Sequence, residues 1–239
     1  MLLRIVDFET TGFPPDAGIC EIGWCDVWVG DGKVTVLTPN DVLVYPGRPI
    51  PPETRAVHHI SDNDVASAPP ADEGLKKLWE ANNGWGTPNV YVAHNAKFER
   101  ALWMCPMPWI CTRKIAMRLW PESPNYQNQT LRYYLGVDDD EGFVELCSMP
   151  PHRAGPDAYV TAHILKRALY MATVDDLVKW TDQPSLLPGA IKFGKHKGTP
   201  WSKVDPSYLD WVVNKATEMD EDVKFTARHW LARRRSDNR

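Results

Sequence analysis

The chain has 239 residues, 43% hydrophobic and 24% charged, with a formal net charge of −4, the make-up of an ordinary folded protein with one moderate α/β domain and room for an appendage. No stretch approaches the ~20 apolar residues of a membrane helix, and Met1-Leu2-Leu3-Arg4-Ile5-Val6 lacks the basic start, long apolar region and cleavage site of a signal peptide. The five cysteines (Cys20, Cys25, Cys105, Cys111, Cys147) form no CxxC pair, which argues against a zinc or disulfide framework and reads as reduced core thiols in a cytoplasmic protein.

Residues 2–8 read as an apolar strand ending in Asp7-Phe8-Glu9, broken by Thr10-Thr11-Gly12 and Pro14-Pro15. A second strand is predicted over 19–29, a hairpin turn at Asp31-Gly32, and a third strand over 33–38 and 42–45 with an interruption at Pro39. Strand, turn, strand, turn, strand implies an antiparallel meander. After the proline-rich 46–52 come a short turn or helix at 53–60, a helix over 72–82 and a buried strand at 90–93. That strand feeds a helix starting near Ala96, followed by a short strand at 109–111 and helices over 112–119, 128–135 and 154–171. A meander followed by strand–helix alternation predicts an α/β fold, a mixed sheet flanked by helices.

A short helix and a linker with Pro184 and Pro188-Gly189 occupy 174–187. The expected division is a main domain at 1–175, a linker at 176–188 and a small α+β module at 189–239, with helices over 207–216, opened by Pro206, and 221–234. Its core is assigned to Trp201, Tyr208, Leu209, Trp211 and Trp230. The module holds 11 basic and 7 acidic residues, leaving 16 and 24 in the remainder. A basic tail on an acidic body suits phosphate binding beside a cluster of metal-holding carboxylates, and equally a solvated tail.

Three clusters carry chemistry. In Asp7-x-Glu9 the period of two puts both carboxylates on one face of a strand, where they repel unless a cation sits between them; a hard divalent ion with a preference for oxygen fits. Asp139-x-Glu141 has the same spacing but lies in a hydrophilic stretch and reads as a solvated loop. The second cluster, His94-Asn95-Ala96-Lys97-Phe98-Glu99, enters a helix with Asn95 at its N-cap, and Glu99 either faces the carboxyl end of the sheet or is a surface acid. In the third, His152-Arg153-Ala154-Gly155-Pro156-Asp157, Asp157 starts a strongly apolar helix. It serves as a metal ligand beside a proton-accepting His152, or simply favours the helix N-terminus electrostatically.

Together these residues resemble the DEDDh family of 3′→5′ exonucleases, which have a ribonuclease H-like fold. Asp7 and Glu9 match the first motif, Glu99 the second, and His152 and Asp157 the third. The tyrosine subclass would carry Tyr at the position of Arg153, and residues 48–60 look like the family segment near the nucleotide pocket, with His58 matching. The resemblance implies two divalent cations, Mg²⁺ or Mn²⁺, held by Asp7, Glu9, Glu99 and Asp157, with His152 as general base and nucleoside 5′-monophosphates as products. It implies nucleic-acid contacts from Thr10, Thr11, Gly12, Phe13, His58, His94 and Asn95, and from Lys195 and Lys197 of the module. The expected partner is single-stranded DNA or duplex 3′ ends, with no membrane. An exoribonuclease and a non-catalytic binding relative are the alternatives. One departure stands out: the family carries Asp where this chain has Glu99.

Overall fold

The apolar N-terminal run becomes strand β1 (Leu2–Thr10), the spine of a six-stranded mixed sheet. A computed structural model describes residues 1–82 and 84–237, apart from the side chains of 235–237. β1 pairs antiparallel with β2 (Ile19–Gly30), from Leu2↔Trp28 to Glu9↔Glu21. On its other side β1 runs parallel to β5 (Val90–Ala93), which runs parallel to β6 (Trp109–Cys111). β3 (Lys33–Val36) and β4 (Asn40–Leu43) both lie antiparallel on the outer edge of β2. They are one strand interrupted around Pro39, which has no amide hydrogen to donate to the ladder. Asp31 and Gly32 take φ of 53° and 72°, the backbone that a tight hairpin turn requires.

Alternation along β1 sorts its side chains. Leu3 and Ile5 join Cys25 and Val27 under Ala158, Tyr159, Ala162 and Leu165 of helix α7 (Ala154–Leu169). Val6 and Phe8 face the other layer with Ile22, Tyr91, Leu78, Trp103 and Trp109, so Phe8 is core. By the same period, Asp7 and Glu9 continue the α7 side just beyond its apolar layer. β2 approaches the start of α7 so closely that a Cβ on Gly23 would lie 2.0 Å from the carbonyl carbon of Ala154.

The remaining helices are α1 (Pro52–His58), α2 (Asp62–Val65), α3 (Ala71–Lys76), α4 (Ala96–Leu102), α5 (Thr112–Leu119), α6 (Asn128–Tyr134) and α8 (Val174–Asp182). The helix expected over 72–82 is shorter: α3 tightens into a 3₁₀ turn at Lys77–Trp79 and stops. Its end is set by Arg4, which is 2% exposed. Arg4 Nη1 donates to the carbonyls of Lys77, Leu78 and Glu80 at 3.1, 3.0 and 2.9 Å, while Asp26 pairs with the same guanidinium at 2.7 Å. A buried charge needs such a complete set of partners, and continuing the helix would consume those carbonyls.

Helices α9 (Pro206–Asn214) and α10 (Glu221–Asp237) close the chain. Asp205 caps α9, accepting the Ser207 amide at 2.8 Å, with Pro206 in the first turn, a position where its missing N–H costs nothing. Ile191, Trp201, Val204, Leu209, Val212 and Ala227 form a separate apolar cluster, with Tyr208 and Trp230 packed against it. The strands expected in this module reduce, among the described residues, to one bridge between Ala190 and Pro200. Trp211, expected in its core, is instead 42% exposed and packs on Tyr208. No helix among the described residues is long and apolar enough to cross a membrane.

Candidate active site

The end of β1 and the first turn of α7 meet on the same side of the sheet. There Asp7, Glu9 and Asp157 offer carboxylate oxygens all within 4.8 Å of one another. Asp157 is held from two sides: Oδ1 accepts Gln129 Nε2 at 3.1 Å and Oδ2 accepts the His152 amide at 3.0 Å. Burial, then the neighbouring Glu9, Asp157, Glu99 and Glu21, push the Asp7 carboxyl well above its usual range. Burial, Asp157 and Glu21 push Glu9 up to about 8 against the pull of Arg153. Burial raises Asp157 as well, opposed by the hydrogen bonds it accepts. Such a set is strained without a cation and relieved by one.

Glu99, in the first turn of α4, stands next to this trio without joining it. It is 4% exposed, burial pushes it to about 8, and its Oε2 has no hydrogen-bond partner. An unpartnered buried carboxylate oxygen is costly, and a cation beside it would relieve that cost.

His152 is exposed and sits in the left-handed region with φ of 61°, which costs a non-glycine residue on the order of 1 kcal/mol. Its loop is anchored on both sides. The His152 amide binds Asp157, and the next residue, Arg153, forks onto Glu21, with Nε at 3.0 and 3.1 Å and a second, shorter contact from Nη2. The Ala154 amide adds a bond to Glu21 at 2.9 Å. Glu21 is fully buried on β2. It escapes sequence reading because its partner lies 132 residues away; the only hint is that it is one of two acids, with Asp26, in a largely apolar strand.

The other sequence-derived candidates divide into three groups: exposed, engaged within the protein, and remote on the C-terminal module. Phe13 is 85% exposed and meets Phe98 edge to face at 6.3 Å, and Asn95 is exposed at the N-cap of α4 with no side-chain capping bond. Thr10 and Thr11 are buried and turn the chain, through Thr10 Oγ1 to the Gly12 carbonyl at 2.7 Å and the Gly18 amide to Thr11 Oγ1 at 2.9 Å. The two histidines are engaged internally. His94 bridges Thr112 Oγ1 and the Tyr126 carbonyl, both at 2.9 Å, and burial holds it down at about 4. Bonding to a carbonyl makes Nε2 the protonated nitrogen, so Nδ1 accepts from Thr112. His58, 2% exposed, accepts the Ile60 amide at Nδ1, and burial lowers it too. Lys195 and Lys197 are exposed in the C-terminal module, Lys195 with Nζ 5.4 Å from the Tyr208 ring centre. The structure does not bring them into the carboxylate cluster. Asp139 and Glu141, whose spacing repeats the first motif, are exposed.

A mixed sheet flanked by helices, with acids gathered at the end of its central strand, defines a ribonuclease H-like nuclease fold. The chain belongs to the exonuclease family, whose model, described as Exonuclease, matches residues 5–165. Exodeoxyribonuclease 10 of Escherichia coli strain K12 is 36% identical over 238 residues, which cover 96% of this chain and 99% of that relative. The solved structure of exonuclease X in complex with 5′ overhanging duplex DNA superposes with a TM-score of 0.60 at 35% identity, over 75% of this chain and 99% of that one. The nuclease domain of 3′hExo, a DEDDh family member bound to rAMP, shares the fold at 20% identity and a TM-score of 0.53, over 72% of this chain and 92% of that domain.

Proposed function

We propose that this protein is a divalent-metal-dependent 3′→5′ exonuclease that hydrolyses DNA and releases nucleoside 5′-monophosphates. The carrying observation is the trio of carboxylates within 4.8 Å, raised by burial and mutual repulsion. DNA rather than RNA is favoured by the relatives, an exodeoxyribonuclease and an exonuclease complexed with duplex DNA.

The donor set is all oxygen, which fits Mg²⁺ or Mn²⁺. When bound, two such ions would supply an activated water, neutralisation of the phosphoryl transition state and help for the leaving oxygen. Asp7, Glu9 and Asp157 would hold them, and the unpartnered Oε2 of Glu99 completes the set. His152 takes the proton from the attacking water, kept beside the site because its own amide is tied to Asp157. Phe13, backed by Phe98, offers a face on which a terminal base stacks without regard to sequence. The Thr10–Gly12 turn and Asn95 lie at the nucleotide, while His58 and His94 brace these segments from inside. The catalytic body runs past the expected boundary at 175 to the end of α8 at Asp182, because Leu177 lies in the main core and Thr181 Oγ1 accepts the Cys111 amide at 2.9 Å; the connection is then 183–188, and 189–239 is a basic module whose Lys195 and Lys197 attract phosphates.

The test is to incubate the protein with 5′-labelled single-stranded DNA and its RNA counterpart, with Mg²⁺ and with EDTA, beside Asp7→Ala. A metal-dependent ladder shortening from the 3′ end, absent in Asp7→Ala and faster on DNA, is expected. Intact strands under all conditions would refute the proposal, and preferential loss of the RNA would replace DNA as its substrate.

A further inference from the structure

Between the catalytic body and the C-terminal module lies a cleft of about 1060 Å³, larger than the ~300–1,000 Å³ of most small-molecule pockets. One wall is the 121–127 segment with Arg113 of α5, and the other is the 187–193 segment with Lys197. Three cations line it, Arg113, Lys192 and Lys197, and no carboxylate does. Lys192 and Lys197 come from the basic module, and Arg113 adds a third positive charge from the acidic body.

The neighbouring cations at the same junction are paired. Lys97 meets Asp220 at 2.6 Å, Lys114 meets Asp222 at 3.9 Å and Arg100 meets Asp182 at 3.8 Å. Of these, Lys97–Asp220 and Lys114–Asp222 tie the body to the module, while the Ser185 amide on Asp222 and the Leu187 amide on Thr226 Oγ1, at 2.8 and 2.9 Å, fasten the 185–187 segment to α10. The three cations inside the cleft have no ion-pair partner among the described residues. Between them lie the half-buried Phe193 ring and a lining of Pro121, Pro124, Pro188 and Leu187. Unpaired cations around an apolar and aromatic wall suit a polyanion that also presents flat apolar faces.

The cleft is also tied to the acids. Its 121–127 wall runs directly into Asn128 and Gln129, which donate to the Asp157 carbonyl at 3.1 Å and to the Asp157 carboxylate at 3.1 Å. The Tyr126 carbonyl in the same wall takes the His94 ring at 2.9 Å. We infer that this cleft is a second nucleic-acid site, binding a single-stranded segment of polynucleotide away from the terminal nucleotide. Arg113, Lys192 and Lys197 take its phosphates and Phe193 takes a base. Deepening the exonuclease reading, this assigns the junction, rather than the module surface alone, as the path of the strand.

Each phosphate neutralised on a single strand contributes about −0.7 to the slope of log K against log salt, so the three cations together account for a slope of about −2. The probe is a 5′-fluorescein oligothymidylate about 16 nucleotides long, bound in EDTA so that no turnover intervenes. The full-length triple variant Arg113→Ala/Lys192→Ala/Lys197→Ala is compared with Lys33→Ala/Lys76→Ala/Lys179→Ala. The latter removes the same charge from exposed positions outside the cleft. The cleft variant should bind at least tenfold more weakly at low salt, with a slope shallower by about 2, and Phe193→Ala should weaken binding without changing the slope. The control triple should match wild type. Wild-type affinity and slope in the cleft variant, or equal losses in both triples, would overturn the inference, and unchanged oligonucleotide binding would leave an acidic protein partner as the occupant to pursue. A protein that binds through the cleft but never cuts would refute the exonuclease reading alone; one that cuts with binding indifferent to the cleft would refute this inference alone.

Discussion

Gly23→Ala is the most economical way to disturb the site without touching a charged residue. The added Cβ would lie 2.0 Å from the carbonyl carbon of Ala154, 2.3 Å from its oxygen and 2.3 Å from the Gly155 nitrogen. All three are backbone atoms, so no side chain can swing aside. Carbon atoms pack at about 3.5 Å, so the start of α7 must retreat from β2 by roughly 1.5 Å. That helix start carries Asp157 and is tethered to His152, while Asp7 lies opposite Gly23 across the ladder. A misplacement of about 1 Å costs on the order of 100-fold in rate, and overpacking costs about 1–3 kcal/mol of stability. The assay is kcat/KM on single-stranded DNA with Mg²⁺, alongside urea unfolding to show that the variant remains folded at the assay temperature. A loss of about 100-fold in the folded variant is expected. A rate within a factor of about two of wild type would refute the claim that the β2–α7 contact sets the geometry of the acids.

Glu99→Ala should abolish turnover and Glu99→Asp should largely preserve it; full activity in Glu99→Ala would remove this residue from the site. His152→Ala should lose most of its rate, about 100-fold or more, while equilibrium binding of metal and strand persists, and loss of binding instead would make the residue structural. Metal-free thermal stability should fall between pH 5 and 8. Glu9 and Glu99 titrate at about 8 when folded and near 4.3 when unfolded, so across that window the native state binds more protons and loses stability as pH rises. Mg²⁺ should therefore raise the melting temperature more at pH 8 than at pH 5, and an equal increment at both would contradict the raising of these carboxyls, chiefly by burial. Arg153→Ala would leave Glu21 fully buried without its cation and should cost on the order of 3 kcal/mol in urea unfolding; a change under about 0.5 kcal/mol would mean that the pair contributes nothing.

Much of the sheet was legible because its signals are local. Asp31-Gly32 announces the hairpin, Pro39 interrupts the third strand, and alternation along β1 separates Phe8 from Asp7 and Glu9. The acids were conspicuous for the same reason, as charges at the end of an apolar strand. What escaped depends on distant partners. Arg4 ends α3 early by taking the carbonyls of residues more than 70 positions away, and nothing in the sequence of α3 records that. Glu21 and Arg153 find each other across 132 residues, and Gln129 reaches Asp157 from a helix with no motif of its own. His58 and His94 look like candidates for ligand contact because histidine is versatile; only the packed structure reveals that their ring nitrogens bond within the protein. Tryptophan is apolar and large, which predicts a core position for Trp211, yet α9 turns it outward beside Tyr208.

The proposed chemistry has Asp7, Glu9 and Asp157, with Glu99, gather divalent cations, and titration of the protein with Mn²⁺ at pH 8, followed by loss of the free-ion EPR signal, tests this most directly. About two ions should be taken up per chain, and Asp7→Ala should bind markedly fewer while remaining folded. Uptake of no ions by the wild type, or an identical titration in Asp7→Ala, would contradict the assignment of these carboxylates as the metal centre.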